Sequence, residues 1–103
     1  MNIFQSLFGG GQTVDLKNVI SEGAFLVDVR TPGEFAEGHV KGSVNIPLNT
    51  VASQLSKFKN KKNIVVFCRS GGRSSQAKSI LNQKGFTNVV NGGTWHHESQ
   101  FVK

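Results

Sequence analysis

The sequence predicts an α/β domain built on a mainly parallel sheet. Three observations carry the prediction. Short apolar, β-branched runs recur at Phe25-Leu26-Val27-Asp28-Val29, Val44-Asn45-Ile46, Ile64-Val65-Val66-Phe67 and Asn88-Val89-Val90. Stretches with helical spacing lie between most of them, and Gly or Pro punctuates the joins.

Taken in order, Gly9 to Gly11 sets off residues 1–12 as a flexible N-terminal segment, leaving 13–103 for a single domain. Asp15 can cap a short helix whose apolar positions are Leu16, Val19 and Ile20, with Gly23 as its stop. The run 25–29 is almost continuously apolar, as a strand buried on both faces requires, and it is bounded by Gly23 and Pro32. The run 44–46 stops at Pro47. Asn49 or Thr50 then caps a helix in which Val51, Leu55 and Phe58 share a face. Residues 64–67 give the strongest strand signal and lead straight into Cys68. From Ser74 to Lys84, Ala77, Ile80 and Leu81 form an apolar face, with Gly85 placed for a left-handed stop. A last short strand, 88–90, precedes Gly92-Gly93.

Composition narrows the function classes. A hydrophobic fraction of 37%, with eight Phe, supports one packed core in a chain of 103 residues. Cys68 is the only cysteine, which excludes an intramolecular disulfide and points to a reducing compartment. The N-terminus has no basic, apolar leader pattern, so a cytoplasmic protein without a membrane segment is expected. The formal charge of +6 concentrates small anions. Lys57, Lys59, Lys61 and Lys62 read as a solvated turn, and no nucleic-acid motif accompanies them.

The chemistry concentrates in CRSGGRS, Cys68 to Ser74, which joins a buried strand to a helix. Open parallel sheets place ligands at the C-terminal ends of their strands. The glycines permit a tight loop whose backbone N–H groups can turn inward as an anion nest, and the following helix adds its positive end. A thiolate needs such a field, because a free cysteine ionises only near pH ~8.5. Arg69 and Arg73 add positive charge, and the open mouth expected of a substrate site limits desolvation, so the Cys68 thiol is expected to ionise more readily than free cysteine.

These residues resemble the rhodanese homology family. LVDVRTPGEFAEGHVKGSVNIP, Leu26 to Pro47, is similar to the family's first signature, CRSGGRS to its active-site loop, and Val90-Asn91-Gly92-Gly93 to its closing motif. The resemblance implies a rhodanese-like, doubly wound sheet flanked by helices and a sulfurtransferase that carries sulfur as a persulfide on Cys68. Thiosulfate or a related sulfane compound is the implied donor, and a thiol, cyanide or a protein the acceptor. It implies a cradle made by the backbone of Arg69, Ser70, Gly71, Gly72 and Arg73, continuing to Ser74, with the Arg69 side chain at the mouth. No metal or organic cofactor, and no nucleic-acid or membrane partner, is expected of what reads as a monomer. Asp28 and Arg30 match the first signature, where such a pair braces the loop region; Arg30 is a secondary substrate-binding candidate. His39 is expected to hold a turn. His96, His97 and Glu98 lack metal-ligand spacing, and Trp95 is expected in the core.

Two other functions fit the same architecture. Cell-cycle dual-specificity phosphatases and certain arsenate reductases have a similar loop with one residue more between Cys and Arg, whereas four separate Cys68 from Arg73; the smaller ring suits one sulfur atom better than a tetrahedral phosphate. A non-catalytic sulfur carrier or protein-binding module is the other alternative.

Overall fold

The computed structural model describes residues 16–69 and 72–94. Four parallel strands form one sheet: β1 (Phe25–Asp28), β2 (Val44–Asn45), β3 (Ile64–Cys68) and β4 (Val89–Thr94). They lie in the order β2-β1-β3-β4. β1 pairs with β2 through Val27–Val44 and with β3 from Phe25–Ile64 to Asp28–Phe67. The order reverses direction at β1, so the C-terminal ends of β1 and β3 flank a topological switch point, where such sheets leave a crevice.

The two faces are covered by different elements, as in a doubly wound sheet. Val27, Val29, Ile64, Val66 and Cys68 pack on one side with Val51, Phe58, Ala77 and Leu81, all essentially without solvent exposure. Leu26, Val65 and Phe67 point the other way, toward Val40 and the helix α1 (Leu16–Ser21), whose Val19 and Ile20 pack against them. The alternation is the strand period of two, with both halves buried. Asp15, the expected cap of α1, lies outside the described residues, as do the segment 1–12, Trp95, His96, His97 and Glu98.

Four details depart from the sequence expectations. A helix, α2 (Pro32–Glu37), occupies a stretch that carried no predicted element. It starts with a full capping box: Thr31 Oγ1 accepts from Glu34 N, and Glu34 Oε1 accepts from Thr31 N, with Pro32 at the first helical position. The helix predicted from Asn49 or Thr50 is instead two 3₁₀ segments, Leu48–Ser53 and Leu55–Phe58, with Pro47 at the first N-cap. Hydroxyls there compete for the carbonyls that an α-helix needs: Thr50 Oγ1 donates to Pro47 O and Ser53 Oγ to Thr50 O, each at 2.9 Å. Val51 and Phe58 are buried as expected. The third helix, α3, spans Gly72–Gln83 and so begins two residues before Ser74. Its C-terminal stop is at Gly85 (φ 95°), where Phe86 N donates to Leu81 O and Gly85 N to Asn82 O, a Schellman motif.

The last difference is at β4, which runs on through Gly92-Gly93 to Thr94. Val66 pairs with Asn91 and Phe67 with Gly93, so Gly92 is an extra, bulged residue opposite the end of β3. Gly93 takes φ 83°, a conformation side chains disfavour. The bulge therefore lies one step from Cys68, which pairs with Thr94.

Candidate active site

Cys68 ends β3 and α3 begins four residues later, so the thiol sits between a strand's C-terminus and a helix's N-terminus. Ser70 and Gly71 lie outside the described residues. Arg69 is exposed, and Gly72 is the first residue of α3. A Cβ built at Gly72 meets nothing within 4 Å, so packing does not demand a glycine there. The first N–H groups of a helix have no partner within it and carry its positive end, here directed toward the segment that follows Cys68.

Cys68 itself has no solvent exposure. The sequence predicts an open mouth at the sulfur; instead Cys68 is fully buried in the cluster that also holds Ala77 of α3, and Ser74 of α3 is buried as well. Cys68 Sγ lies 3.6 Å from Ser74 Oγ, with the thiol as donor. Ser74 Oγ in turn donates to Asn91 Oδ1 at 2.7 Å, and the same oxygen accepts from Gly93 N at 2.9 Å. The bulge of β4 is thus tied through one amide and one hydroxyl to the cysteine.

The two arginines of the loop differ. Arg69 projects into solvent. Arg73 is engaged: its guanidinium donates to both carboxylate oxygens of Glu34, at 2.8 and 3.1 Å, a bidentate pair joining α3 to α2. The hydrogen bond from Arg73, then the backbone hydrogen bond from Thr31, hold the Glu34 carboxyl at about 2, well below its ordinary 4.5. The reciprocal bond with Glu34 raises Arg73, and the charges of Cys68 and Asp28 add smaller pushes in the same direction. Arg73 therefore remains within electrostatic reach of Cys68 while much of its charge is balanced by Glu34.

Arg30 is only 4% exposed and pairs with the wholly buried Asp28: Nε donates to both carboxylate oxygens and Nη2 to Oδ2 at 2.7 Å. Nη2 also donates to Gly38 O, while Asn45 Nδ2 donates to the carbonyls of Asp28 and Arg30. This network fastens the end of β1 to the end of α2 and to β2. A buried pair survives because its remaining hydrogen-bond capacity is met. His39 Nδ1 lies 2.8 Å from Phe35 O, and its ring stacks on Phe35 at 3.8 Å, which holds the turn after α2.

A cavity of about 320 Å³ opens beside Arg73, lined by Val29, Thr31, Pro47, Leu48 and Asn49. Among the described residues no cluster of three or more His, Cys, Asp or Glu could hold a metal ion, and no helix is long and apolar enough to cross a membrane.

Sequence reasoning missed Glu34, Thr31 and Asn91. The first two had a local signal, the Thr-Pro-Gly-Glu capping pattern. Asn91 had none beyond its place in the closing motif, because its contact with Ser74 arises only when β4 pairs beside β3.

The model of the rhodanese-like domain matches residues 12–94. The chain is 37% identical over 71 residues to a sulfurtransferase of Allochromatium vinosum, covering 69% of this chain and 66% of that protein. It is 41% identical over 69 residues to the thiosulfate sulfurtransferase PspE of Escherichia coli K12, covering 65% of this chain and 66% of that one. The match thus spans just under two thirds of the length of these curated relatives. Among solved structures, a rhodanese with anions from E. coli superposes with a TM-score of 0.66 at 36% identity, over 73% of this chain and 91% of that one.

Proposed function

The chain belongs to the rhodanese-like domain family, and from that membership we propose that it is a sulfurtransferase that takes a sulfane sulfur from thiosulfate, or a related donor, onto Cys68. In the first half-reaction the Cys68 thiolate attacks the outer sulfur of thiosulfate; a Cys–S–S bond forms, the donor's S–S bond breaks, and sulfite leaves with its electron pair. In the second, a thiol, cyanide or a protein nucleophile attacks the terminal persulfide sulfur and Cys68 departs as the thiolate. Neither step needs a metal or an organic cofactor.

The observation that carries the reading is the position of Cys68, at the C-terminal end of a central parallel strand and directly ahead of the N-terminus of α3. That placement favours a sulfur anion. Backbone N–H groups of Arg69, Ser70, Gly71, Gly72 and Arg73 form the cradle for the terminal sulfur, Ser74 supplies a hydroxyl, and Arg69 meets the donor's sulfonate charge. Cys68 is fully buried, so the donor reaches the sulfur only when the site opens. Arg30 holds the end of β1 and is a secondary candidate for contact with the donor. The working form is a monomer in a reducing cytoplasm.

Intact-mass spectrometry after mixing with thiosulfate tests this. One added sulfur on the wild type and none on Cys68→Ser is the expected result; a sulfur that persists on the variant contradicts it.

A further inference from the structure

We infer that Asn91 is a positioning residue for Cys68: it holds the Ser74 hydroxyl hydrogen away from the sulfur, so that this hydroxyl must change partner before it can stabilise a sulfur anion. The inference rests on the reading of Cys68 as the nucleophile.

The hydrogen positions follow from the donor inventory. Asn91 Oδ1 is 2.9 Å from Gly93 N, which can only donate, so the amide is oriented with its oxygen inward. The same oxygen is 2.7 Å from Ser74 Oγ. An oxygen facing a hydroxyl at that distance must accept from it, and a hydroxyl has a single hydrogen. Toward Cys68, 3.6 Å away, Ser74 therefore turns lone pairs. Those lone pairs accept from the S–H of a neutral thiol and repel a thiolate or a persulfide anion. To serve the anion the hydroxyl rotates about Cβ–Oγ, leaving Asn91 with Gly93 N as its donor. Asn91 and the sulfur thus compete for one proton, and Asn91 biases the resting site toward the thiol.

Among the described residues, Arg73 of α3 acts electrostatically on Cys68 and pairs with Glu34 of α2; Asp28 and Arg30 stand at the end of β1, Arg69 is next in the chain, and β4 carries no charged residue. All are retained in the variants below, so they do not contribute to the differences.

The test is the rate of iodoacetamide alkylation of Cys68 against pH in the full chain. Asn91→Ala is expected to lower the midpoint by about half to one pH unit, the size of one hydrogen bond. In a Ser74→Ala background the same substitution should have no effect. Loss of the Gly93 contact alone would lower the melting temperature without moving the midpoint. Asn91→Asp keeps both acceptor contacts and binds the hydroxyl more strongly; it should raise the midpoint, and part of that rise should vanish with Ser74→Ala. A midpoint unmoved or raised by Asn91→Ala, or a shift that survives without Ser74, overturns the inference. If Asn91→Ala does not fold, an Asn91→Asp shift that is identical with and without Ser74 overturns it equally. Alkylation reads the thiol whether or not sulfur is transferred. A wild type with the expected pattern that gains no sulfur from thiosulfate would contradict the proposed function and leave Asn91's role standing.

Discussion

Two arginines separated by three residues have different work because, among the described residues, only Arg73 is paired with a carboxylate. Arg69 is exposed and can meet an incoming anion, whereas Arg73 spends its guanidinium on Glu34. Arg69→Ala should therefore weaken use of thiosulfate more than use of a neutral donor. A lost charge-assisted contact costs ~1.5–3 kcal/mol, a drop of roughly tenfold or more in kcat/KM for thiosulfate. Equal losses for both donors would remove Arg69 from the mouth of the site. The Glu34 pair makes a separate prediction about pH. Its folded pKa, about 2, lies below its ordinary 4.5. A depressed carboxyl contributes stability that is complete above the ordinary value and lost as the pH falls through the folded one. Wild type should melt above Glu34→Gln at pH 6, and the gap should close between pH ~4.5 and ~2. A gap independent of pH over that window would mean that the pair contributes nothing through its charge.

At the scale of elements, the proposed cradle makes the length of the connection between β3 and α3 decisive. Inserting one Gly between Gly71 and Gly72 should abolish sulfur transfer, since the N–H groups would no longer converge on one sulfur; an unchanged rate would show that loop length is not what selects sulfur over phosphate. The strands were legible in the sequence because strands buried on both faces read as unbroken apolar runs, Ile64 to Phe67 above all. α2 went unread although Thr31-Pro32-Gly33-Glu34 carries its capping box, since Pro32 and Gly33 also punctuate turns and the helix buries no residue completely. The 3₁₀ pair was misread as one helix because Val51, Leu55 and Phe58 fit either helix, and hydroxyl competition is invisible to apolar spacing. Asn91 was out of reach for a different reason: its partner Ser74 is 17 positions away, and their meeting is a product of sheet register.

For the whole molecule, one face of the sheet does two tasks. The cluster that holds Leu81, Ala77 and Val66 at zero exposure also holds Cys68, so stability and site geometry share the same packing. Leu81→Ala should lower the unfolding free energy by ~2–5 kcal/mol through lost burial and a cavity, read by denaturant titration. A change below ~1 kcal/mol would mean that α3 is not packed against the sheet as described. Burial also has a cost for function, because a sulfur with no exposed surface cannot meet a donor without a local opening. The face that seals the thiol is also the one from which α3 presents Ser74.

The central claim is that Cys68 is the sulfur-carrying nucleophile, and the most direct measurement is intact-mass spectrometry of the full chain before and after thiosulfate, with a thiol acceptor added last. The account predicts a gain of one sulfur on Cys68, its removal by the acceptor, and no gain for Cys68→Ser. A wild-type chain that gains nothing from thiosulfate or from a persulfide donor, or a gain that persists in Cys68→Ser, would contradict it.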